Sequence, residues 1–365
     1  MKYRFLLIFL NVLCINIYAQ EAFSGDSASR NYLFHAGIRA HYGFIFAHSR
    51  DVSNLAQSYP VGVELNLSRR LISRKTWDNC RCFPHAGILV SFVDYDNAIV
   101  GRSITAAPYL EPVFRLSGGI QLAVRGGFGL SYLTNPYDPV RNPANQSYSL
   151  PVSGFLVLGT GLHLKVTEQL WLNLTGQYNH ISNGGIKEPN KGVNYPTASL
   201  GFHYYPQKPV LPTYPDSGQL EKGKRDLRIE VYGASKTILP GEKQRFGIGG
   251  LHVSAGWRIG RINRLRAGVE WTADYALKEN LRRAGADTRQ FHRAGLMAGN
   301  EFVMGKFLFS QQMAVYVYNP SRYNTLLYQR YGLLYQFHPR WTAGVSLKAH
   351  GHVANFIDFR VGYAR

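Results

Sequence analysis

The chain has 365 residues, of which 17% are charged and 13% aromatic, with 24 Tyr, 37 Gly and a formal charge of +19. The charged fraction lies below the ~25% usual for soluble domains, and beyond the N-terminus no apolar run approaches the roughly 18–20 residues a membrane helix needs. A β-rich chain is therefore expected, and a helical membrane protein is excluded.

The N-terminus reads as a secretory signal over residues 1–19. Lys2 and Arg4 form its basic part, Phe5 to Ala19 is mostly apolar, and Ala19-Gln20 offers a cut. A secreted chain with no basic tract and no RNA-binding motif gives nucleic acid no support as a partner. Lys and Arg facing an anionic lipid headgroup is the other reading of the charge.

From about residue 30, runs of about ten residues alternate apolar and polar, separated by turn residues. This is the pattern of strands with lipid on one face and a polar lumen on the other. Val61, Val63, Leu65 and Leu67 share one face; Glu64, Asn66 and Ser68 share the other. Ile120, Leu122 and Val124 oppose Gln121 and Arg125. After residue 226 the same holds for Leu227, Ile229 and Val231 against Arg228 and Glu230, and for Leu265, Val269 and Trp271 against Arg266 and Glu270. The predicted architecture is all-β: a transmembrane antiparallel β-barrel of the outer-membrane type.

The connections alternate in length. Asp51 to Tyr59, Thr134 to Ser149, Ser182 to Asn194, Lys236 to Arg245 and Leu277 to Arg289 are long; Ser117-Gly118-Gly119, Thr167-Glu168-Gln169, Arg261-Ile262-Asn263 and Gly305-Lys306 are short. Long outer loops and short periplasmic turns are the habit of outer-membrane barrels. Two periplasmic connections break it. Arg69 to Pro84 carries Cys80 and Cys82, which read as surface-loop thiols or a local disulfide and are too few for a closed zinc site. Pro206 to Arg225 begins with a proline-rich run and reads as a boundary between residues 20–205 and 226–365. About eight strands precede it and about eight follow, giving either two units or one barrel of about sixteen strands. The last strand, Asn355 to Tyr363, ends in the apolar, aromatic manner of an outer-membrane insertion signal.

The stretch Leu170 to Tyr205 carries the candidate chemistry. One strand sets Leu172, Leu174, Gly176 and Tyr178 on its apolar face, and the period of two extends that face to His180 and Ser182. The returning strand continues the face through Asn194, Pro196 and Ala198. A serine needs a neighbouring base to become a nucleophile, and a third group should orient the imidazole. The backbone amides of Gly184 and Gly185, or the amides of Asn183 or Asn190, could stabilise an oxyanion. Other histidines, His35, His41 and the pair His350 and His352, lack carboxylates at ligand spacing, so no metal is expected; Arg39 and His41 are expected to face the lumen.

The string His180-Ile181-Ser182-Asn183-Gly184-Gly185, then Lys187, Pro189-Asn190 and Gly192, resembles the active segment of the lipid A 3-O-deacylase family (PagL-like), outer-membrane esterases with a Ser-His-Glu triad on the barrel exterior. The match is specific over about 25 residues, and a looser likeness in strand plan covers roughly residues 30–205. It implies Ser182 as nucleophile and His180 as general base, lipid A or lipopolysaccharide in the outer leaflet as substrate, and no cofactor. It further implies residence in the outer membrane of a Gram-negative-type cell, with the active site on the extracellular side. The family's acid falls on Asn194, which is not an acid; Glu188 in the same loop is a substitute. A homodimer is left open. The rival expectation is a non-catalytic barrel, a pore or structural protein derived from the same fold.

Overall fold

A computed structural model describes residues 31–215, 223–351 and 353–365. The expected signal segment lies outside the described residues, as does part of the connection after Pro206. The described residues form two closed antiparallel barrels. The first comprises β1 (Tyr32–Gly43), β2 (Val61–Leu71), β3 (His85–Asp94), β4 (Arg102–Glu111), β5 (Val113–Arg115), β6 (Ile120–Leu133), β7 (Val152–Lys165), β8 (Leu170–Ser182) and β9 (Val193–Tyr204). Each strand pairs with its neighbours in sequence, and β1 closes the barrel on β9. β5 continues β4 after a break at Pro112, which has no N–H to donate; its carbonyl still accepts from Val124 N–H at 3.0 Å. The first barrel is thus eight-stranded in effect.

The second barrel comprises β10 (Arg225–Lys236), β11 (Phe246–Arg258), β12 (Asn263–Asp274), β13 (His292–Met304), β14 (Phe307–Tyr318), β15 (Leu327–His338), β16 (Trp341–His350) and β17 (Val353–Ala364), closed by β10 on β17. The arrangement is two barrels of eight; no single sixteen-stranded barrel forms.

Alternation decides which way each side chain points. Val61, Val63, Leu65 and Leu67 face out and are each about half exposed, whereas Glu64, Asn66 and Ser68 are buried in the lumen. Inside the first barrel Arg125 donates to Glu111 at 2.6 Å and to Glu64 at 2.7 Å, and Arg39 reaches Glu111 at 3.4 Å. His41 stands 3.6 Å from Glu64. The lumen of the second barrel holds Arg228 on Glu301 at 2.6 Å and Lys348 on Glu270 at 2.9 Å. Eight strands enclose an interior that side chains can fill, and here charged pairs fill it. Among the described residues, neither filled interior leaves the wide aqueous lumen that sixteen strands would enclose.

Local helices decorate the ends. A 3-10 turn, Arg50–Leu55, tucks Val52 and Leu55 inward above β1 and β2. Helix α1, Arg74–Cys80, is capped by the Ser73 hydroxyl, which accepts from Thr76 N–H. It ends at a local disulfide, Cys80–Cys82. Helix α2, Tyr275–Arg283, lies where the sequence suggested only a long loop. Asp274 caps it by accepting from Leu277 N–H at 2.9 Å.

The barrels touch at both ends. At the short-turn end, Arg261 donates to Asp78 O at 3.0 Å, and Tyr214 of the connecting segment donates to Ile72 O at 2.9 Å. At the long-loop end, Thr237 N–H donates to Ile186 O at 3.2 Å and Glu188 N–H to Thr237 Oγ1 at 3.0 Å.

Candidate active site

The site grows out of one hairpin. On β8 the outward residues Leu174 and Tyr178 lead to His180 and Ser182, both half-buried at the strand's end. On β9, Asn194 lies opposite His180 in the ladder, so the two side chains share a face at cross-strand contact distance. His180 Nδ1 and Asn194 Oδ1 are 2.6 Å apart. Asn194 Nδ2 in turn donates to His48 Nδ1 at 2.8 Å. This network makes Nδ1 of His180 the protonated nitrogen and leaves Nε2 with its lone pair. No carboxylate among the described residues hydrogen-bonds or ion-pairs with His180.

Ser182 Oγ accepts two hydrogen bonds, from Gly184 N–H at 2.9 Å and from Asn190 Nδ2 at 3.1 Å. Asn190 is held in turn by Asn183 N–H, which donates to its Oδ1 at 2.8 Å. The loop that brings these donors in needs glycine. Gly184, Gly185 and Gly192 have φ of 66°, 76° and 80°, in the left-handed region that glycine adopts without strain. A Cβ at Gly192 would also stand 2.9 Å from Cε1 of His180.

Among the described residues no hydrogen bond joins His180 to Ser182. Two positions apart on one strand face, their Cα atoms are separated by ~6.6–7 Å, within reach of an imidazole–hydroxyl bond. Such contacts commonly tighten only when substrate is bound.

The other sequence candidates fall as follows. The side chain of Asn183 folds the loop, donating to Lys187 O at 2.7 Å and Ser149 Oγ at 3.2 Å and accepting from Ile186 N–H. Gly185 abuts the second barrel, where an added Cβ would meet Asn355 O at 2.5 Å. Glu188 turns its backbone to Thr237 and makes no described contact with His180.

His48 was missed by sequence reasoning. It follows β1 by five residues, in a segment that runs on beside β9, with Phe46 N–H donating to Asn194 O at 2.8 Å. Only barrel closure of β1 on β9 brings it to Asn194.

Below this cluster the outer face of the first barrel is hollowed into a groove of about 970 Å³ between Tyr42, Tyr59, Leu158, Tyr178 and Pro196. Gly176 leaves its floor open, since a Cβ there would meet nothing within 4 Å.

A second cluster lies in the lumen. His85, Glu111 and His163 bring ligand atoms within 4.8 Å of one another. These partners come from three strands, so spacing in sequence conceals them. Glu111 already carries the Arg125 and Arg39 guanidiniums, which disfavours a further cation at the same carboxylate.

Fold and surface together define a transmembrane barrel of the outer-membrane type whose lipid-facing rim carries a Ser-His-Asn arrangement. Residues 62–203 match the family model described as lipid A 3-O-deacylase (PagL), and residues 225–364 match that described as acyloxyacyl hydrolase, C-terminal domain. The N-terminal barrel is thus similar to the lipid A 3-O-deacylase family and the C-terminal barrel to the C-terminal domain of acyloxyacyl hydrolases.

Among solved structures, the outer membrane enzyme PagL matches at 16% identity, covering 48% of this chain and 99% of that one with a TM-score of 0.33. Neisserial surface protein A matches at 12% identity, covering 47% and 96% with a TM-score of 0.34. A mutant Rh. blastica porin matches at 11% identity, covering 92% and 100% with a TM-score of 0.21. No curated protein matches the chain.

Proposed function

We propose that the protein is a serine esterase of the outer membrane that removes the 3-O-linked acyl chain of lipid A, releasing a 3-hydroxy fatty acid. The observation that carries this reading is the pair of hydrogen bonds Asn190–Ser182 and His180–Asn194, side by side on the lipid-facing rim directly above an apolar groove. A soluble ester would have no reason to approach from that side.

In the proposed reaction Ser182 Oγ attacks the ester carbonyl while Nε2 of His180 takes the hydroxyl proton. The carbonyl oxygen becomes an oxyanion beside Asn190 Nδ2 and Gly184 N–H, the two donors that bond Ser182 Oγ in the free protein and that turn to the oxyanion as Oγ becomes an ester oxygen. The intermediate collapses as His180 returns the proton to the departing sugar oxygen. An acyl-serine remains. Water, deprotonated by His180, then attacks it, and the fatty acid leaves as Ser182 recovers its proton. Asn194 holds the imidazole in the required tautomer but adds no negative charge to the imidazolium, so a slow enzyme is expected. Glu188 is not needed for this scheme.

Localisation follows from the substrate. Lipid A in the outer leaflet requires the long-loop end to be extracellular, with residues 1–19 removed as a signal. Lys187 lies in the catalytic loop, as does Lys191, which pairs with Asp51 at 2.9 Å, and Lys243 and Arg245 lie in the neighbouring outer loop; Lys187, Lys243 and Arg245 suit the phosphates of the glucosamine headgroup.

The test is direct. Purified protein is incubated with lipopolysaccharide, and the lipid A is examined by mass spectrometry. Loss of one 3-hydroxyacyl mass with matching free acid supports the reading; intact lipid A at all times sinks it. The absence of a carboxylate at position 194 favours a second reading, a structural barrel that kept the fold without turnover, and intact lipid A would select it.

Asn190→Ala is expected to lower kcat about 10²–10³-fold with little change in KM, as for loss of one oxyanion donor. An unchanged kcat in steady-state assays would remove Asn190 from the site.

A further inference from the structure

The catalytic loop does not end in open lipid. Gly184, whose N–H donates to Ser182 Oγ, lies so close to β17 that a Cβ on it would stand 2.9 Å from Cβ of Ile357. Ile357 and Ile186 begin a second groove, of about 610 Å³, on the outer face of the C-terminal barrel. It crosses β17, β10 and β11 and ends at Tyr275.

Its floor is made of missing side chains. Gly233, Gly247 and Gly249 occupy outward positions, in line with Leu227, Ile229 and Val231 on β10 and with Leu251 on β11. Gly233 pairs with Gly249, and Ser235 with Gly247, so the gaps lie side by side. Nothing in the backbone demands glycine there. None of the three has a positive φ. A Cβ at Gly247 would meet no atom within 4 Å, and at Gly233 or Gly249 none nearer than 3.9 Å. Inward glycines of the same barrel are different: a Cβ at Gly268 would meet Val253 O at 2.3 Å. Glycine in a strand interior weakens it, so three on one lipid-facing patch without steric cause leave a trench where the rest of the wall carries Leu, Ile and Val. Phe359, 71% exposed, forms one wall. At the headgroup end Arg245 lies across Ser235, donating to its Oγ at 2.8 Å.

We propose that this trench is an acyl-chain subsite of the C-terminal barrel. The glycolipid whose ester meets Ser182 lays a second, non-reacting acyl chain in it, with Arg245 at the level of the headgroup phosphate. The substrate then spans both barrels, and its scissile chain keeps the groove under His180. The inference rests on the esterase reading for its substrate. It gives the second barrel a part in recognition, since an ester with a single acyl chain has no use for the trench, whereas a lipid with several does.

The test fills the trench. Gly247→Leu combined with Gly249→Leu is compared with wild type on hexa-acylated lipid A in detergent micelles and on p-nitrophenyl decanoate. On lipid A, kcat/KM is expected to fall about tenfold or more, mainly through KM. On the single-chain ester it is expected to stay within about twofold. Ala255→Leu, outward on the same strand but away from the trench, should change neither. Equal activity of variant and wild type on lipid A overturns the subsite, and so does an equal fall on both substrates. A second readout is independent of turnover. In Ser182→Ala protein, lipid A with a diazirine in an acyl chain should label residues 233–249 several-fold more than phosphatidylcholine with the same diazirine, and filling the trench should abolish the excess. Equal labelling by the two lipids overturns the subsite even if the protein is an esterase. Preferential labelling in a protein whose wild type leaves lipid A intact supports the subsite while the esterase reading fails.

Discussion

Ser182→Ala is expected to abolish release of 3-hydroxy fatty acid, with a loss on the order of 10³–10⁶-fold, the range found when a catalytic serine is removed from a Ser-His pair. The barrel should be unaffected, because Ser182 is the last residue of β8 and, among the described residues, its hydroxyl accepts from Gly184 N–H and Asn190 Nδ2, both in the loop. Heat-modifiable migration on gels checks the fold, and mass spectrometry of lipid A checks turnover. Retained turnover in the variant would remove Ser182 as the nucleophile.

The informative partner experiment is Asn194→Asp. Oδ1 of Asn194 is 2.6 Å from Nδ1 of His180, so aspartate puts a carboxylate oxygen at the same place with no change in size. The tautomer is kept and the imidazolium gains a counter-charge, so kcat should rise by about 10–100-fold, the scale of a hydrogen bond to a charged group, and less than the ~10⁴-fold that the reverse change costs in a serine protease, where the tautomer is lost as well. His48 sets the limit to this gain. It now accepts from Asn194 Nδ2 at 2.8 Å, and a carboxylate cannot donate. His48 must present an N–H instead, which makes His48→Gln a natural companion variant. A fall in activity for Asn194→Asp with or without that companion would show that the asparagine amide itself is required.

Much of the strand plan was legible because the membrane leaves little freedom. A strand with lipid outside and a filled lumen inside must alternate, and each turn residue between strands is local. The lipid-facing placement of His180, Ser182 and Asn194 follows from the same period of two and from the antiparallel return of β9.

What was not legible depends on closure. Whether β1 meets β9 or β17 is decided by shear around the whole barrel, not by any residue in β1, and the eight-or-sixteen question turned on it. His48 was hidden for the same reason, since it reaches Asn194 only across the seam between first and last strand. Contacts between barrels were hidden as well. Gly184 and Gly185 read in sequence as backbone oxyanion donors in an outer loop, yet a Cβ on either would meet β17. Helix α2 had local signals, with Asp274 as a cap and Leu277 and Leu281 buried one turn apart, but a long outer loop was the simpler reading of that stretch.

Glu270→Ala is expected to destabilise the C-terminal barrel by about 3–5 kcal/mol, the cost of stranding a buried charge. Glu270 is 3% exposed and faces the lumen from β12. It accepts from Arg330 Nε at 2.8 Å, from Lys348 Nζ at 2.9 Å and from the Tyr328 hydroxyl at 3.3 Å. Arg330 keeps a second carboxylate, Asp358, if Glu270 is lost. Lys348 does not: its ion pair is with Glu270, its exposure is 0%, and around it stand the rings of Tyr328 at 4.1 Å, Tyr316 at 4.9 Å and Phe356 at 5.9 Å. A ring face attracts an ammonium but does not replace a counter-ion. The ammonium is therefore the group that carries the penalty, and removing it should relieve most of the damage. Glu270→Leu with Lys348→Met should be more stable than Glu270→Ala alone, since taking out both members of a buried pair is often neutral whereas taking out one is not. Lys348→Met alone leaves Glu270 paired with Arg330 and should cost less than Glu270→Ala. Urea unfolding in detergent, followed by intrinsic fluorescence, reads all three. A double variant no more stable than Glu270→Ala would show that packing around Glu270, rather than its charge, holds this part of the barrel together.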